Sequence, residues 1–406
     1  MFVDSVEYLR RRNTPFSPPN VSVAEIRAAI PPRLFEKSTF KSLCYVTRDV
    51  LFASLLFMAA LGIDGVPRYL GDNRSRLSVE ATKWVLWIVY WWWQGLVFGG
   101  WWTLGHEAGH GSLSDNKWVN DTIGLSLHTF LLIPYYSWRR THHNHHKATG
   151  AMERDENFVP RTRSHFGLPP QSVASTLDYH ELFEEAPLYT LLRMLLMQLI
   201  GWQTYLFCNT GGSPSYPPGT NHFVPSSPLF KPSDRRTIVV SNIGLGLMLI
   251  VLLRFGFVHG FPALARLYVV PYLVANHWVV LLTFLQHTDP TIPHYRNAEW
   301  SFVRGALATV DRPLLGWMGR VFLHNISHDH VAHHFFSSIP FYNQPEVTQI
   351  LRAILGDHYN YDSSNTFWAF YRNFKGCCFV EDHGGVLFYK GRNGRAERAL
   401  VGTGGT

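Results

Sequence analysis

Three clusters of histidines constrain this chain more than any other feature of its sequence. The first reads HEAGH and contains His106 and His110, the second reads HHNHH over residues 142–146, and the third reads HVAHH over residues 330–334. Residues three or four positions apart project from the same face of a helix, so the imidazoles of one cluster can reach one metal ion or two neighbouring ions. One such pair can arise by chance among 21 histidines, but three clusters indicate a metal site.

The number of suitably spaced histidines predicts the kind of metal site. The spaced positions are His106, His110, His142, His145, His146, His330, His333 and His334. Eight imidazoles are too many for one tetrahedral zinc ion, but they suit two ions that have four or five ligands each and room for an oxygen species. Soluble di-iron bundles use Glu and Glu-x-x-His ligands, so we expect a different, all-histidine di-iron site that activates O₂.

The composition is typical of a membrane protein. The 406 residues are 46% hydrophobic and 15% aromatic, and only 16% are charged, against roughly 25% in soluble domains. The formal charge is +7, but no run of Lys and Arg residues is longer than the triplet at 10–12. This argues against nucleic acid as a partner. The four cysteines form neither a disulfide framework nor a Cys-x-x-Cys metal motif, which fits a cytosolic face.

Four apolar segments predict membrane spans arranged as two hairpins, at residues 50–66, 84–105, 237–253 and 267–286. A bilayer of about 27 Å needs about 18 helical residues, which the first segment barely provides and the second exceeds. Two further apolar stretches, 125–133 and 188–207, are shorter or carry a charge, and we expect them to be buried or interfacial helices. The expected fold is all-α and integral to the membrane, with a cytosolic helical cap that carries the histidine-rich di-metal site.

The predicted spans divide the chain into a cytosolic N-terminal segment, 1–46, a membrane domain, 47–390, and a C-terminal tail, 391–406. If the N-terminus is cytosolic, 30 of the 36 Lys and Arg residues lie on the cytosolic side, in agreement with the positive-inside rule. This topology places His106, at the end of the second span, and His287, just past the fourth, on the cytosolic face. The second and third clusters lie in the adjacent cytosolic segments, so all the histidines can meet there.

Two other classes of protein compete with the di-iron interpretation. The string from His106 to His110 matches HExxH, the zinc-protease motif in which the glutamate is the general base. A protease would leave two clusters without a role, and Gly109 is a poor residue for a helix interior. A non-catalytic metal transporter would need ionisable residues inside its spans, but the two longest predicted spans contain only His277.

The three clusters resemble the three histidine boxes of the membrane fatty acid desaturases. Longer strings, PYYSWRRTHHNHHKATGAMERDENFVP, LLTFLQHTDPTIPHY and HNISHDHVAHHFFSSIPFYN, resemble the fungal form of the microsomal delta-12 (oleate) desaturase branch. The similarity extends over roughly residues 20–390. Two positions depart from that branch, because box two contains an extra His143 and Gly111 follows box one.

This resemblance implies which residues hold the metals. The ligands would be the eight spaced histidines of the boxes and one histidine outside them, for which His287 in QHTDP is the first candidate and His324 the second. We expect His143 to be a non-ligand. Residues that fix the ring tautomers are expected among Glu107, Asp155, Asn144 and Asp329.

The resemblance also implies the activity. Two iron ions and O₂ would remove two hydrogens from neighbouring methylenes of an oleoyl chain and leave a linoleoyl chain with a cis double bond. Acid–base groups cannot break such C–H bonds, so the metal would carry this step. The substrate would be an acyl lipid such as an oleoyl phospholipid, and the location the endoplasmic reticulum membrane, with the active site and both termini cytosolic. An omega-3 or bifunctional desaturase and an acyl hydroxylase share the fold and remain alternatives.

The electrons are expected to come from other proteins. The sequence contains neither a flavin or nicotinamide fingerprint nor a fused haem motif, so the resemblance implies separate cytochrome b5 and NADH-cytochrome b5 reductase as donors. Basic residues such as Arg139, Arg140 and Lys147 can dock an acidic donor, although contacts with lipid head groups explain them equally well.

The predicted topology can be tested with the four Asn-x-Ser/Thr sequons, which lie at Asn20, Asn73, Asn120 and Asn325. Only Asn73 falls in a predicted luminal loop, and only luminal sites are glycosylated. Glycosidase treatment of protein made in microsomes is therefore expected to remove no glycan from the other three. A glycan at Asn120 or Asn325 would contradict the placement of all the histidines on one cytosolic face.

Overall fold

Helices dominate the computed structural model, which describes residues 2–66 and 75–402. In the first half of the chain they are α1 Val6–Asn13, α2 Val23–Ala29, α3 Thr39–Leu61, α4 Arg76–His110, α5 Lys117–Phe130, α6 Tyr135–Ala148, α7 Thr176–Phe183 and α8 Pro187–Cys208. In the second half they are α9 Arg235–His259, α10 Phe261–His287, α11 Phe302–Ala306, α12 Trp317–Phe322, α13 His330–Phe335, α14 Gln344–Leu355 and α15 Thr366–Gly376. The prediction of an all-α architecture is confirmed, and the sequon residue Asn73 lies outside the described residues.

The two strands form a small antiparallel sheet, β1 Pro293–Tyr295 with β2 Val386–Phe388. Its register pairs Pro293 with Phe388 and Tyr295 with Val386. This sheet joins the chain just after α10 to the C-terminal segment, so it closes the layer that covers the ends of the long helices.

The long helix α4 lies beside α3 and runs in the opposite direction. Near one end of the pair, Ala60 of α3 shares an apolar cluster with Trp87 and Tyr90 of α4. Near the other end, Gly100 of α4 faces Asp49 of α3, because a Cβ added there would lie 3.1 Å from the Asp49 Oδ2 atom. The two helices therefore form an antiparallel hairpin.

The helix α10 lies on another side of α4 and runs parallel to it. The Tyr90 hydroxyl donates to the Leu267 carbonyl at 2.8 Å, and further along a Cβ added at Gly99 would lie 3.8 Å from the Trp278 Cβ. Between these contacts the helices approach closely at Gly95, where an added Cβ would meet the Val274 side chain at 2.4 Å. Because α4 and α10 are parallel, their C-terminal ends, with His106 and His287, lie at the same end of the bundle.

Four helices in the described part of the chain are long and apolar enough to cross a membrane. They are Thr39–Gly65, Pro187–Cys208, Pro232–His259 and Phe261–His287. Two of them contain the predicted spans 237–253 and 267–286, and Thr39–Gly65 covers the predicted span 50–66 except for its last residue. The other predicted span, 84–105, lies within α4, a helix of 35 residues that is buried on all sides from Gln94 to Gly109. Its tryptophans and glycines contribute little to hydropathy, but a helix enclosed by other helices does not need an apolar surface toward lipid.

The helix α8 occupies the stretch for which we expected a buried or interfacial helix. Its composition suffices for a span because Arg193 is its single charged residue, and most of its apolar side chains are exposed rather than buried. Both of its ends contact the layer that covers the bundle. Arg392 donates to Glu185, just before the helix, and the Tyr205 hydroxyl near its end lies 3.2 Å from the Thr141 Oγ1 atom of α6. These contacts favour an interfacial position for α8.

A buried charge network fixes the segments around the end of α10. Arg312 donates to Asp289 at 2.6 Å and also to Asp362, and Arg372 of α15 donates to Asp362 at 2.7 Å. Arg11 of α1 completes the network, with its Nη2 atom 3.8 Å from Asp289. Burial alone would raise the pKa of the Asp362 carboxyl, but the three arginines lower it below its usual range. The network holds the chain two residues beyond His287.

Replacement of Arg312 by glutamine is expected to destabilise the protein strongly. The change leaves the buried Asp289 and Asp362 carboxylates without one of their cations, and breaking a buried ion pair costs about 3–5 kcal/mol. The apparent melting temperature of the detergent-solubilised protein measures the effect. Arg235→Gln, on an exposed side chain, serves as the control, and equal melting temperatures for the two variants would contradict this role of the network.

Candidate metal centre

The ends of four helices bring nine histidines together. Box one ends α4, box two lies in the second half of α6, box three forms most of α13, and His287 ends α10. The nine residues are His106, His110, His142, His145, His146, His287, His330, His333 and His334. All are buried except His110, which is partly exposed. These are the nine positions that we expected to hold metal.

Two glycines explain how box one reaches the cluster. Gly111 has a φ of 72° and ends α4 in the left-handed conformation that glycine adopts without strain. Gly109 lies against α6, where an added Cβ would be 3.3 Å from the Trp138 ring. The unusual glycine inside the first histidine motif therefore allows α4 and α6 to approach closely.

The nine histidines fall into two groups. In the first group, one ring nitrogen from each of five residues lies within 4.8 Å of all the others, and these are His106, His110, His142, His146 and His333. The second group meets the same criterion with His145, His287 and His334. His330 adjoins the second group, because its Nε2 atom is 3.0 Å from the Nε2 atoms of both His287 and His334. The arrangement offers five nitrogens on one side and four on the other.

The distances between ring nitrogens fit metal ions with more than four ligands. The His142 Nε2 atom is 2.8 Å from His106 Nε2 and 3.0 Å from His146 Nε2. Two nitrogens bound about 2.1 Å from one ion lie about 3.0 Å apart at right angles, but about 3.4 Å apart at the tetrahedral angle of zinc sites. The observed distances correspond to right angles, which favours a five- or six-coordinate ion.

Unpartnered nitrogens also fit a metal centre. The Nε2 atoms of His110, His145 and His333 are buried and have no hydrogen-bond partner within the described residues. A buried polar atom without a partner costs free energy, so it usually indicates a missing ion or water. Burial lowers the pKa of His333 to about 3, and together with neighbouring histidines it holds the pKa of His142 well below its usual value. These rings are neutral at pH 7, which is the form that binds metal.

Hydrogen bonds to the other ring nitrogens orient three of the histidines. The Nδ1 atom of His145 donates to Asp155 at 2.8 Å, and that of His106 donates to Glu107 at 3.1 Å. The Nδ1 atom of His334 donates to the Thr149 hydroxyl at 3.1 Å. Such bonds leave Nε2 free to bind an ion. The sequence indicated the two carboxylates but not the threonine, because a hydroxyl three residues after box two carries no distinctive signal.

The other two expected acceptors have different partners. The Asn144 amide donates to Glu156 at 2.8 Å. Asp329 lies 3.4 Å from an Arg320 nitrogen. Neither side chain forms a hydrogen bond to a ring of the cluster within the described residues, so these two residues do not orient it directly.

The two histidines that the sequence left in question belong to neither group. His143 points out of the cluster, and its Nε2 atom donates to the Gly109 carbonyl at 2.9 Å. His324 donates to Asp49 of α3 at 2.7 Å, so it joins box three's preceding segment to the membrane hairpin. The structure therefore brings His287 into the cluster and gives His324 a contact elsewhere.

A cavity of about 620 Å³ opens beside the cluster. Its inner end is lined by five cluster histidines, namely His106, His142, His145, His287 and His330. Much of its wall comes from apolar residues of α8 and α10, such as Met197 and Val280. Two tryptophans of the wall stack on cluster rings, Trp102 on His106 and Trp138 on His142. The sequence did not reveal α8 as a wall of this cavity, because its contacts are with distant parts of the chain.

Comparison with known proteins identifies the family. A family model described as fatty acid desaturase matches residues 82–365. This chain belongs to that family. The zinc-protease and metal-transporter interpretations are therefore set aside, and the resemblance inferred from the three boxes is confirmed.

Several curated relatives are similar over nearly their whole length. A delta(12) fatty acid desaturase of Mortierella isabellina is 44% identical, over 92% of this chain and 91% of the relative. An oleate hydroxylase of Claviceps purpurea is 40% identical, over 93% of this chain and 82% of the relative. An omega-6 fatty acid desaturase of Brassica juncea, whose description adds the endoplasmic reticulum, is 37% identical over 94% of each chain.

Asp155→Asn is expected to weaken metal binding without unfolding the protein. The change removes the charge that orients His145, and loss of such a partner typically costs 10–100-fold in metal affinity. Metal content per purified chain, measured after dialysis against a chelator, reports the effect. The matched control is Glu156→Gln, because Glu156 accepts from Asn144 and Tyr216 and not from the cluster. Equal metal retention in both variants would contradict the role of Asp155.

Proposed function

We propose that this protein is an acyl-lipid desaturase that inserts a cis double bond at the delta-12 position of oleoyl chains and thereby forms linoleoyl chains. The observation that carries the proposal is the meeting of nine histidines beside a mainly apolar cavity, which five of them line. The similarity to delta-12 desaturases over almost the whole chain supports this position for the double bond. Such a site suits the oxidation of an unactivated methylene that lies beside a histidine-rich metal centre.

The nine histidines would hold two iron ions. The first ion would be bound by His106, His110, His142, His146 and His333, and the second by His145, His287, His330 and His334. Bound iron supplies, with O₂, the oxidising power that no amino-acid side chain has. The ring-to-ring distances and the unpartnered nitrogens support these assignments.

The chain itself positions the substrate and keeps the centre dry. The cavity confines an acyl chain between α8 and α10, so that one pair of methylenes lies beside the histidines. Trp102 and Trp138 cover the faces of His106 and His142 with ring contacts of 5.4 Å and 4.6 Å between centroids. These large apolar rings exclude water from the reacting end of the cavity, and they limit how the acyl chain can bend.

The proposed location is the endoplasmic reticulum membrane, with the metal centre and both termini on the cytosolic side. Helices α3, α4, α9 and α10 would cross the membrane as two hairpins, and α8 would lie along its surface. The buried position of α4 between α3 and α10 supports its role as a span despite its modest hydropathy. An oleoyl phospholipid is the expected substrate, and cytochrome b5 with its NADH-dependent reductase is the expected source of electrons.

Oleate hydroxylation is a second candidate function. It is favoured by the 40% identity to the oleate hydroxylase of Claviceps purpurea. Both reactions begin on the same part of the acyl chain, so the same cavity and the same nine histidines would serve either. The product distinguishes them, because hydroxylation leaves an alcohol and desaturation leaves a second double bond.

Expression in a yeast that lacks polyunsaturated lipids is expected to produce linoleate. The substitution His333→Ala is expected to abolish the linoleate, because His333 contributes one ring nitrogen to the group of five histidines. Whole-cell fatty acid profiling measures both. His165→Ala, which alters an exposed histidine outside the cluster, should leave the product unchanged. A hydroxylated fatty acid would favour the second candidate, and an unaltered profile with good membrane expression would contradict both.

A further inference from the structure

The histidine cluster borders two cavities of opposite character. The apolar cavity already described is reached by His106, His142 and three other cluster members. A second cavity, of about 500 Å³, is lined instead by the end of α4, including His110, and by polar residues of α5, α6 and the start of α9. Because no residue lines both cavities, the cluster has separate openings of different chemistry. We call the second one the polar cleft.

The proposed reaction needs such a second opening. Reduction of one O₂ to two waters takes four electrons and four protons, and formation of one double bond supplies two of each as the two substrate hydrogens. Two further electrons and two protons must therefore come from outside in every turnover. An acyl chain fills the apolar cavity during the reaction, so these electrons and protons need another approach to the metals.

The floor of the polar cleft lies close to the cluster. His143 lines the cleft, and its ring centroid is 5.3 Å from that of His110, a member of the five-residue group. The His143 Nε2 atom donates to the Gly109 carbonyl, directly before His110 in the chain. A protein seated in the cleft would therefore lie directly beside the candidate metal ligand His110, which also lines the cleft.

The residues around the cleft carry a positive charge. Three acids of the lining are neutralised by ion pairs, Asp115 with Lys37, Asp121 with Arg139, and Asp234 with Arg140. Lys117 shares Asp121 with Arg139, so the lining has one cation more than it has acids. Next to the lining, Lys147, Arg235 and Arg236 are exposed, and none of them forms an ion pair within the described residues. A positive rim attracts a negatively charged protein and orients it during association.

We propose that the polar cleft is the docking site of an acidic one-electron donor protein, which delivers two electrons per turnover by way of His110. The proposal rests on the proposed function, and it assigns a role to the extra histidine of box two. His143 is a positioning residue, because its hydrogen bond to the Gly109 carbonyl holds the end of α4 at the cleft floor. The acyl chain and the donor then reach the metals from different sides and do not compete.

The test uses the full-length holoenzyme in nanodiscs of phosphatidylcholine, which carry no net lipid charge, with the soluble haem domain of cytochrome b5 as the probe. The double variant Lys117→Glu/Arg235→Glu reverses two exposed charges beside the cleft and leaves the nine histidines intact. We expect its affinity for the haem domain to fall at least tenfold at low ionic strength. The difference should shrink with added salt, because the screening length falls from about 10 Å at 0.1 M to about 3 Å at 1 M.

A second measurement separates docking from catalysis. Enzyme reduced chemically with dithionite should form product in a single turnover equally well for the wild type and the double variant. If the reduced wild type itself forms no product, the proposed function is refuted. A tenfold loss of haem-domain affinity in the double variant would support docking even then.

The matched control is Arg395→Glu, which reverses an exposed charge on the C-terminal segment and should leave donor affinity unchanged. The docking proposal is overturned if the control and the double variant lose affinity equally, or if neither does. It is also overturned if the loss appears only in nanodiscs that contain anionic lipid, because the cations would then serve the membrane surface.

Discussion

The desolvation of the histidine rings is the constraint on which the rest of this structure depends. Eight of the nine clustered rings are buried, and several of their nitrogens have no partner in the described chain. Rings in such a place are stable only if ions fill the space between them, or if neighbouring residues satisfy their other nitrogens. The carboxylates of Asp155 and Glu107 and the Thr149 hydroxyl do the second. Each carboxylate lies on the segment of the box that it orients, whereas Thr149 follows box two and orients His334 of box three.

Holding four helix ends together requires support from outside the cluster. The parallel contact between α4 and α10 sets His106 and His287 at one level, and Gly95 allows the close approach that this contact needs, while Gly109 allows α4 to approach α6. Beyond α10, the network of arginines with Asp289 and Asp362 ties the N-terminal helix and α15 to the chain that follows His287. Long helices on one side and buried ion pairs on the other therefore support the candidate metal centre.

The two separate cavities give the candidate metal centre two approaches of different polarity. Apolar walls from α8 and α10 face rings of both groups, while charged and polar residues of α5, α6 and α9 face His110. An apolar wall excludes water and confines a hydrocarbon chain, but it cannot guide a charged protein or a proton. A polar cleft does the reverse. Both are needed by a reaction that oxidises a methylene while it receives electrons from outside.

The sequence by itself predicted the three histidine clusters as a metal site and most of the helices. Spacings of three and four positions place the histidines of each box on one helix face, and this local property does not depend on distant contacts. The capping box formed by Ser22 and Glu25 at the start of α2 is a local feature of the same kind. Predictions of this kind succeed because the interacting atoms lie within one or two turns of each other.

Only the tertiary structure decided the choices that depend on distant contacts. The sequence offers His287 as the first candidate and His324 as the second, and the fold separates them, because the first meets His330, 43 positions away, and the second meets Asp49, 275 positions away. The position of α8 and the existence of two cavities depend in the same way on which helices lie side by side. Apolar composition indicates that a helix avoids water. The packing of the whole chain decides whether lipid, protein or substrate surrounds that helix instead of water.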